Sequence, residues 1–299
     1  MSPNRFARNV GLIVVAAVIA VASAGSAPGD GLAATDGPPL ASVPSVRDQV
    51  GAAPTLVFEC FQLYLGHDPN KTLMLVTDNF GKDIVTVRTS DLVCESAYKY
   101  RQVPAGTKPP PPTVHEALQC FRLQNGQDPN DPAVLDTLNF GPDGVRVRTS
   151  TRMCESAVKL RPGLPPFGDV PQPRAWQCFN IQNGHNPNVQ VVLSTNNFGA
   201  HRAFVRQAVL MCETAAKYVQ TAAGDVQLSI PNDEQQVYEC FRLLETPFQL
   251  APATLITKNF GNDEVRIARA NLMCEPAKKT ILFENPNPND PIPDGIASD

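Results

Sequence analysis

Cysteine is the residue type in this chain with the widest chemical repertoire, and the spacing of its eight copies narrows that repertoire sharply. They fall into four pairs, Cys60 and Cys94, Cys120 and Cys154, Cys178 and Cys212, Cys240 and Cys274, each 34 residues apart. The first members follow one another at intervals of 60, 58 and 62 residues, so the chain holds four copies of one unit. Zinc chemistry wants short C-x-x-C or Cys/His clusters. None is present, and His67, His115, His185 and His201 do not recur at one repeat position. Four equal pairs instead form a disulfide framework, the usual state of cysteine in an exported chain. Pairing within each repeat is the simplest connectivity, and a bridge closing about 35 residues contributes roughly 3 to 4 kcal/mol in the chain-entropy account. The alternative joins Cys94 to Cys120, Cys154 to Cys178 and Cys212 to Cys240. It leaves Cys60 and Cys274 without partners unless the array closes on itself.

Two other recurrent groups carry functional side chains. Glu95 and Lys99, Glu155 and Lys159, Glu213 and Lys217, Glu275 and Lys279 stand four apart after the second cysteine. On a helical turn that spacing makes surface ion pairs worth a few tenths of a kcal/mol, a better account than acid/base machinery. The loops Gly66-His67-Asp68-Pro69-Asn70, Gly126-Gln127-Asp128-Pro129-Asn130 and Gly184-His185-Asn186-Pro187-Asn188 offer oxygens to a cation. Calcium wants six or more ligands and usually several carboxylates, whereas Asp/Asn-Pro-Asn is ordinary turn chemistry. No metal and no cofactor is expected. A hydrolase would need a convergent set such as Ser/His/Asp in one copy, and no copy is marked out in that way.

The elements that hold these residues follow from the four-way comparison. Leu75, Leu135, Leu193 and Leu255 alternate with Thr77, Thr137, Thr195 and Thr257 two residues on, which gives one face of a strand. Alternation resumes at Val85/Val87, Val145/Val147, Ala203/Val205 and Val265/Ile267. Between them lies Asn-Phe-Gly: Asn79, Phe80 and Gly81, Asn139, Phe140 and Gly141, Asn197, Phe198 and Gly199, Asn259, Phe260 and Gly261. This tripeptide is placed at the turn of a β-hairpin, with glycine at positive φ and the phenylalanine folded over the hairpin end as a core plug. Lys82-Asp83, Pro142-Asp143-Gly144 and Asn262-Asp263 are expected to complete a polar loop. The first cysteine lies in a strand with apolar residues on both faces, centred on Phe61, Phe121, Phe179 and Phe241.

Arg5 and Arg8 precede an apolar run from Val10 to Val21, and Ala22-Ser23-Ala24 supplies a small-x-small cleavage pattern. Residues 1–24 are therefore expected to be a secretory signal peptide, the run being short for a membrane span. The organisation expected is a disordered linker over 25–54, repeats at 55–102, 115–161, 174–220 and 235–283, and a disordered Pro-rich tail over 284–299. Proline is abundant, 29 residues, and Lys108-Pro109-Pro110-Pro111-Pro112 and Pro162 to Pro173 look like polyproline II spacers. A formal charge of −4 gives no basic surface for nucleic acid. The fold class expected is mainly β: four tandem, small, disulfide-stapled β-rich modules, each with a hairpin turning at Asn-Phe-Gly. They would pack as a rod or as closed sandwiches.

The frame Cys-aromatic, Asn-Phe-Gly hairpin, Leu/Met-Cys-x-x-x-x-Lys resembles a bacterial secreted tandem-repeat domain of unknown function. The resemblance covers roughly 55–283. This chain has Asn where such repeats often have Gln before Phe-Gly, and only Cys274-Glu275-Pro276 keeps a proline after the second cysteine. It implies a small disulfide-bonded β module and transfers no catalytic residue. The expected function is a secreted, non-enzymatic extracellular interaction or surface-structural protein, at the cell surface, in the periplasm or outside the cell. Its partner would be an extracellular protein or glycan, with no nucleic acid and no membrane span after signal cleavage. The alternatives are an inhibitor of a secreted enzyme and, behind it, a secreted hydrolase. Function is expected at what differs between copies, the loops near 64–72, 124–132, 182–190 and 244–252 and the outward faces.

Overall fold

A computed structural model of the protein describes residues 54–168, 174–229, 235–244, 246–248 and 250–282. The expected leader 1–24, the segment 25–54 except its last residue, and the tail 284–299 lie outside the described residues.

Every repeat folds as two short strands and one long one. Repeat 1 has β1 (Thr55–Tyr64), β2 (Lys71–Thr77) and β3 (Gly81–Tyr100); repeat 2 has β4 (Ala117–Gln124), β5 (Asp131–Thr137) and β6 (Gly141–Leu160). Repeat 3 has β7 (Ala175–Gln182), β8 (Val189–Thr195) and β9 (Gly199–Thr221), followed by β10 (Gly224–Gln227) in the connection. Repeat 4 has β11 (Val237–Leu244), β12 (Ala251–Thr257) and β13 (Gly261–Ile281). The described residues are all-β, as the alternating pattern requires. The Cys-Glu segment is a correction: Glu95 to Lys99 and its three copies continue the long strand rather than starting a helical turn. Glutamate and lysine four apart share one face of a strand just as they would of a helix, because four is also a multiple of two.

Within a repeat the first strand lies antiparallel to the second half of the long strand, with the two cysteines directly opposite one another. The bridges are accordingly Cys60–Cys94, Cys120–Cys154, Cys178–Cys212 and Cys240–Cys274. The other edge of each long strand takes the first strand of the next repeat, β3 with β4, β6 with β7 and β9 with β11. The series then returns on itself, since β13 pairs with β1. Eight strands thus form a closed ring in which the first repeat completes the last, which removes both open edges.

The hairpins interlock this ring. Each second strand pairs with the first half of its own long strand and then with the end of the long strand two repeats away: β2 with β9, β8 with β3, β5 with β13, β12 with β6. The four units are therefore one body, neither a rod of independent modules nor a pair of sandwiches. The proline-rich connections are fixed to it. Pro109 O accepts from Ser194 Oγ, Pro110 O from the Tyr100 hydroxyl and Pro112 O from Asn196 Nδ2, at 2.9–3.0 Å. In the second connection Phe167 is buried and bridges the Lys159 backbone.

Candidate functional site

The recurring side chains are consumed by this closure. On one face of the ring the cysteines converge. Each disulfide sulfur lies 3.9–4.0 Å from a sulfur of the next bridge: Cys94 from Cys120, Cys154 from Cys178, Cys212 from Cys240, Cys274 from Cys60. All of these steps are shorter than the roughly 4.8 Å between neighbouring strands, so the sulfurs point inward. Phe58, Leu118, Trp176 and Tyr238 pack on one side of the sulfur circuit and Leu92, Leu210 and Leu272 on the other. In repeat 2 the leucine position is taken by Arg152.

The opposite face holds two polar layers. Lys99, Lys159, Lys217 and Lys279 pair with Glu275, Glu95, Glu155 and Glu213, each lysine reaching the glutamate of the preceding repeat. These are buried ion pairs, both partners 3% exposed or less, and not the surface pairs that a spacing of four implies. Burial pulls Lys99 down to about 8 even though Glu275 opposes the shift. The asparagine of each hairpin donates to the glutamate two repeats away: Asn79 to Glu213, Asn139 to Glu275, Asn197 to Glu95, Asn259 to Glu155. Phe80, Phe140, Phe198 and Phe260 lie over the ammonium groups of Lys279, Lys99, Lys159 and Lys217 at 4.3–5.0 Å, and their other neighbours are Phe179, Phe241, Phe61 and Phe121. The phenylalanine is a plug, but against the phenylalanine of the repeat two places away rather than over its own hairpin. Gly81, Gly141, Gly199 and Gly261 have φ of 69–75°, and the threonine before each turn accepts from the phenylalanine N–H.

A second polar layer escaped the sequence reading. Asp83, Asp143 and Asp263 are buried, not members of a polar loop, and His201 occupies the fourth copy of their position. Each faces the residue before the first cysteine two repeats away. Asp83 accepts from Gln177 Nε2 at 2.5 Å and Ser150 Oγ at 2.7 Å; Asp263 accepts from Gln119 Nε2 at 2.6 Å and Ser90 Oγ at 2.5 Å. In the other two copies Ser is Ala208 or Ala270 and Gln is Glu239 or Glu59. His201 Nε2 lies 2.9 Å from Glu59 Oε1. Glu239 faces Asp143, and burial first, then that neighbouring carboxylate, pushes it up to about 10, so it holds a proton at neutral pH. The signal was in the sequence as the paired change Ser/Gln to Ala/Glu, legible only once the partners are known to be two repeats apart.

The Asp-Pro-Asn loops are turns in fact as well as in composition. Asn70, Asn130 and Asn188 take positive φ, and Arg88, Arg148 and Arg206 clasp them. The N–H groups of His67, Gln127 and His185 donate to Asp263, Asp83 and Asp143, so the loops are anchored onto the buried acids. Among the described residues no group of three or more His, Cys, Asp and Glu is placed to hold a metal ion.

What remains outside this scaffold gathers at one end of the ring. A cleft of about 730 Å³ is lined by Arg148, Arg152, Asn180, Gln207, Arg242 and Asn271, with Leu210 and Leu272 beneath. Part of its lining comes from positions that differ between copies: Asn180 and Arg242 stand where the other copies have Gln62 and Arg122, and Val209 and Asn271 where they have Asp91 and Thr151. Asp91 receives both Arg122 and Arg152. Asn271 Oδ1 is buried without a protein partner, and Arg242 makes no ion pair among the described residues. The loops at 124–132 and 182–190 contribute to this end through the Asp128–Arg148 pair and Gln182. No protein-family model matches the chain, and no curated protein or solved structure matches it significantly. The four disulfides fit an oxidising, extracellular-type environment.

Proposed function

We propose that the protein is a secreted, non-catalytic interaction module that presents a ligand cleft on a closed, disulfide-stapled β scaffold. One observation carries this reading: most side chains repeated four times are used up in closing the ring, while divergent positions, Asn180, Arg242, Val209 and Asn271 among them, contribute to a polar cleft. Its Arg242 guanidinium, its amides and the unpartnered Asn271 oxygen suit a ligand bearing both an acidic group and hydrogen-bond donors, as an acidic glycan or peptide does. No nucleophile–base pair lies among the cleft residues, so binding is the better reading than turnover. Avidity from four flexible modules has no place in an interlocked body. The affinity then comes from one rigid surface, the cleft.

The test is a glycan and peptide array screened with the mature chain and with the double variant Arg242→Ala/Asn271→Ala, checked for unchanged melting. Acidic ligands should bind the parent, and the double variant should lose at least tenfold in affinity. Binding that survives the double variant unchanged, a blank array, or turnover of a bound compound would each defeat the proposal.

A further inference from the structure

We propose that the eight sulfurs form a thiol–disulfide exchange circuit, able to pass between pairing within repeats and pairing between repeats without unfolding of the ring. The observation is that each cysteine sulfur has two sulfur neighbours, one bonded and one 3.9–4.0 Å away, all the way round. Exchange proceeds by attack of a thiolate on a neighbouring disulfide sulfur, opposite the sulfur that leaves. The circuit supplies that contact at every junction.

The exchange proceeds one bond at a time. A small dithiol reductant cleaves Cys60–Cys94, becoming a disulfide itself and leaving two protein thiols. The Cys94 thiolate attacks Cys120; the Cys94–Cys120 bond forms, the Cys120–Cys154 bond breaks, and Cys154 departs as the thiolate. Cys154 then stands beside Cys178, and the same displacement frees Cys212, then Cys274. The two remaining thiols are Cys274 and Cys60, which are neighbours across the closure of the ring. A disulfide oxidant such as oxidised glutathione removes two electrons and two protons and joins them. The end state has four bridges between repeats and a backbone stapled into a covalent circle.

The surroundings leave room for the exchange without disturbing the other layers. Leu210 and Leu272 pack on the sulfurs and also line the cleft, so these two side chains are what separates the sulfur circuit from the cleft. Serine, aspartate and lysine layers lie on the other face and need no change when the sulfurs exchange partners.

The experiment treats the folded mature chain with one equivalent of a dithiol reductant. Thiols are then blocked with an alkylating agent and the peptides mapped without reduction, while circular dichroism follows the fold. The expected result is linked peptides Cys94–Cys120, Cys154–Cys178 or Cys212–Cys240, with native dichroism. Linkage only within repeats, random linkage of non-neighbours, or bridges that resist the reagent while the fold persists would overturn the proposal. A second measurement uses Cys60→Ala/Cys274→Ala, oxidised with glutathione disulfide. The circuit predicts no free thiol and three bridges between repeats. Fixed pairing predicts free or glutathione-capped Cys94 and Cys240.

Discussion

At the scale of residues, the buried acid layer shows how the four copies have diverged in step. Where Ser90 and Ser150 supply a hydroxyl, the residue facing the aspartate is Gln119 or Gln177, and the carboxylate receives two neutral donors. Where the serine has become Ala208, Glu239 takes the place of the glutamine and donates through its own proton. That proton makes stability depend on pH. The folded group titrates near 10 and the unfolded one near 4.5. Between those values the folded chain holds a proton that the unfolded chain has given up, so the contribution is complete below pH 4.5 and is lost as pH rises towards 10. Glu239→Gln should remove this dependence, raising the melting temperature at pH 8 by roughly 2–4 °C for about each kcal/mol relieved and changing it little at pH 4. A variant that melts lower than the parent at pH 8 would contradict the assignment. The buried lysine layer gives a second prediction. Lys159→Ala leaves Glu95 buried and unpaired and should cost about 3–5 kcal/mol in denaturant titration. The exposed Arg88–Asp68 pair should cost under about 1 kcal/mol when Arg88 is replaced by alanine.

At the scale of elements, much of the structure was legible. Period-two alternation located the hairpin strands, the repeated glycine located their turns, and equal cysteine spacing located the bridges. What was not legible is which repeat each strand serves. Glu and Lys four apart satisfy a helix and a strand alike, and only the pairing of β1 with β3 and β13 decides between them. Asn139 looks like a turn residue by composition, yet its side chain reaches Glu275 two repeats on. Asn139→Ala should therefore cost about 1–3 kcal/mol, the penalty for a buried carboxylate losing a donor, whereas an asparagine serving only its own turn would cost a few tenths. The loop glycines follow the same logic. A Cβ at Gly126 would overlap the Ser150 carbonyl oxygen, so Gly126→Ala should detach the loop from Asp83. Faster amide exchange at Gln127 and Ser150, with the disulfide core still protected, is the signature to look for.

At the scale of the whole molecule, four similar sequences have become positions in one ring. Identical residues make the contacts that every junction needs, and differing residues such as Asp91, Thr151, Val209 and Asn271 break the four-fold pattern. The sequence carries the repeat but not its closure, because contacts between repeats 1 and 4, from Ser90–Asp263 at a separation of 173 to Cys60–Cys274 at 214, leave no local signal. Closure also means that no repeat has a complete set of partners alone. β1 needs β13, and every hairpin needs the repeat two places away. The most direct test of the account is thermal unfolding of a chain ending before repeat 4, followed by near-ultraviolet dichroism beside the full chain. A closed ring predicts that removing repeat 4 abolishes the cooperative transition, since it strips β1, β5 and the Asn139 and Lys99 contacts of their partners. A three-repeat chain that keeps the dichroism and melting temperature of the parent would contradict it.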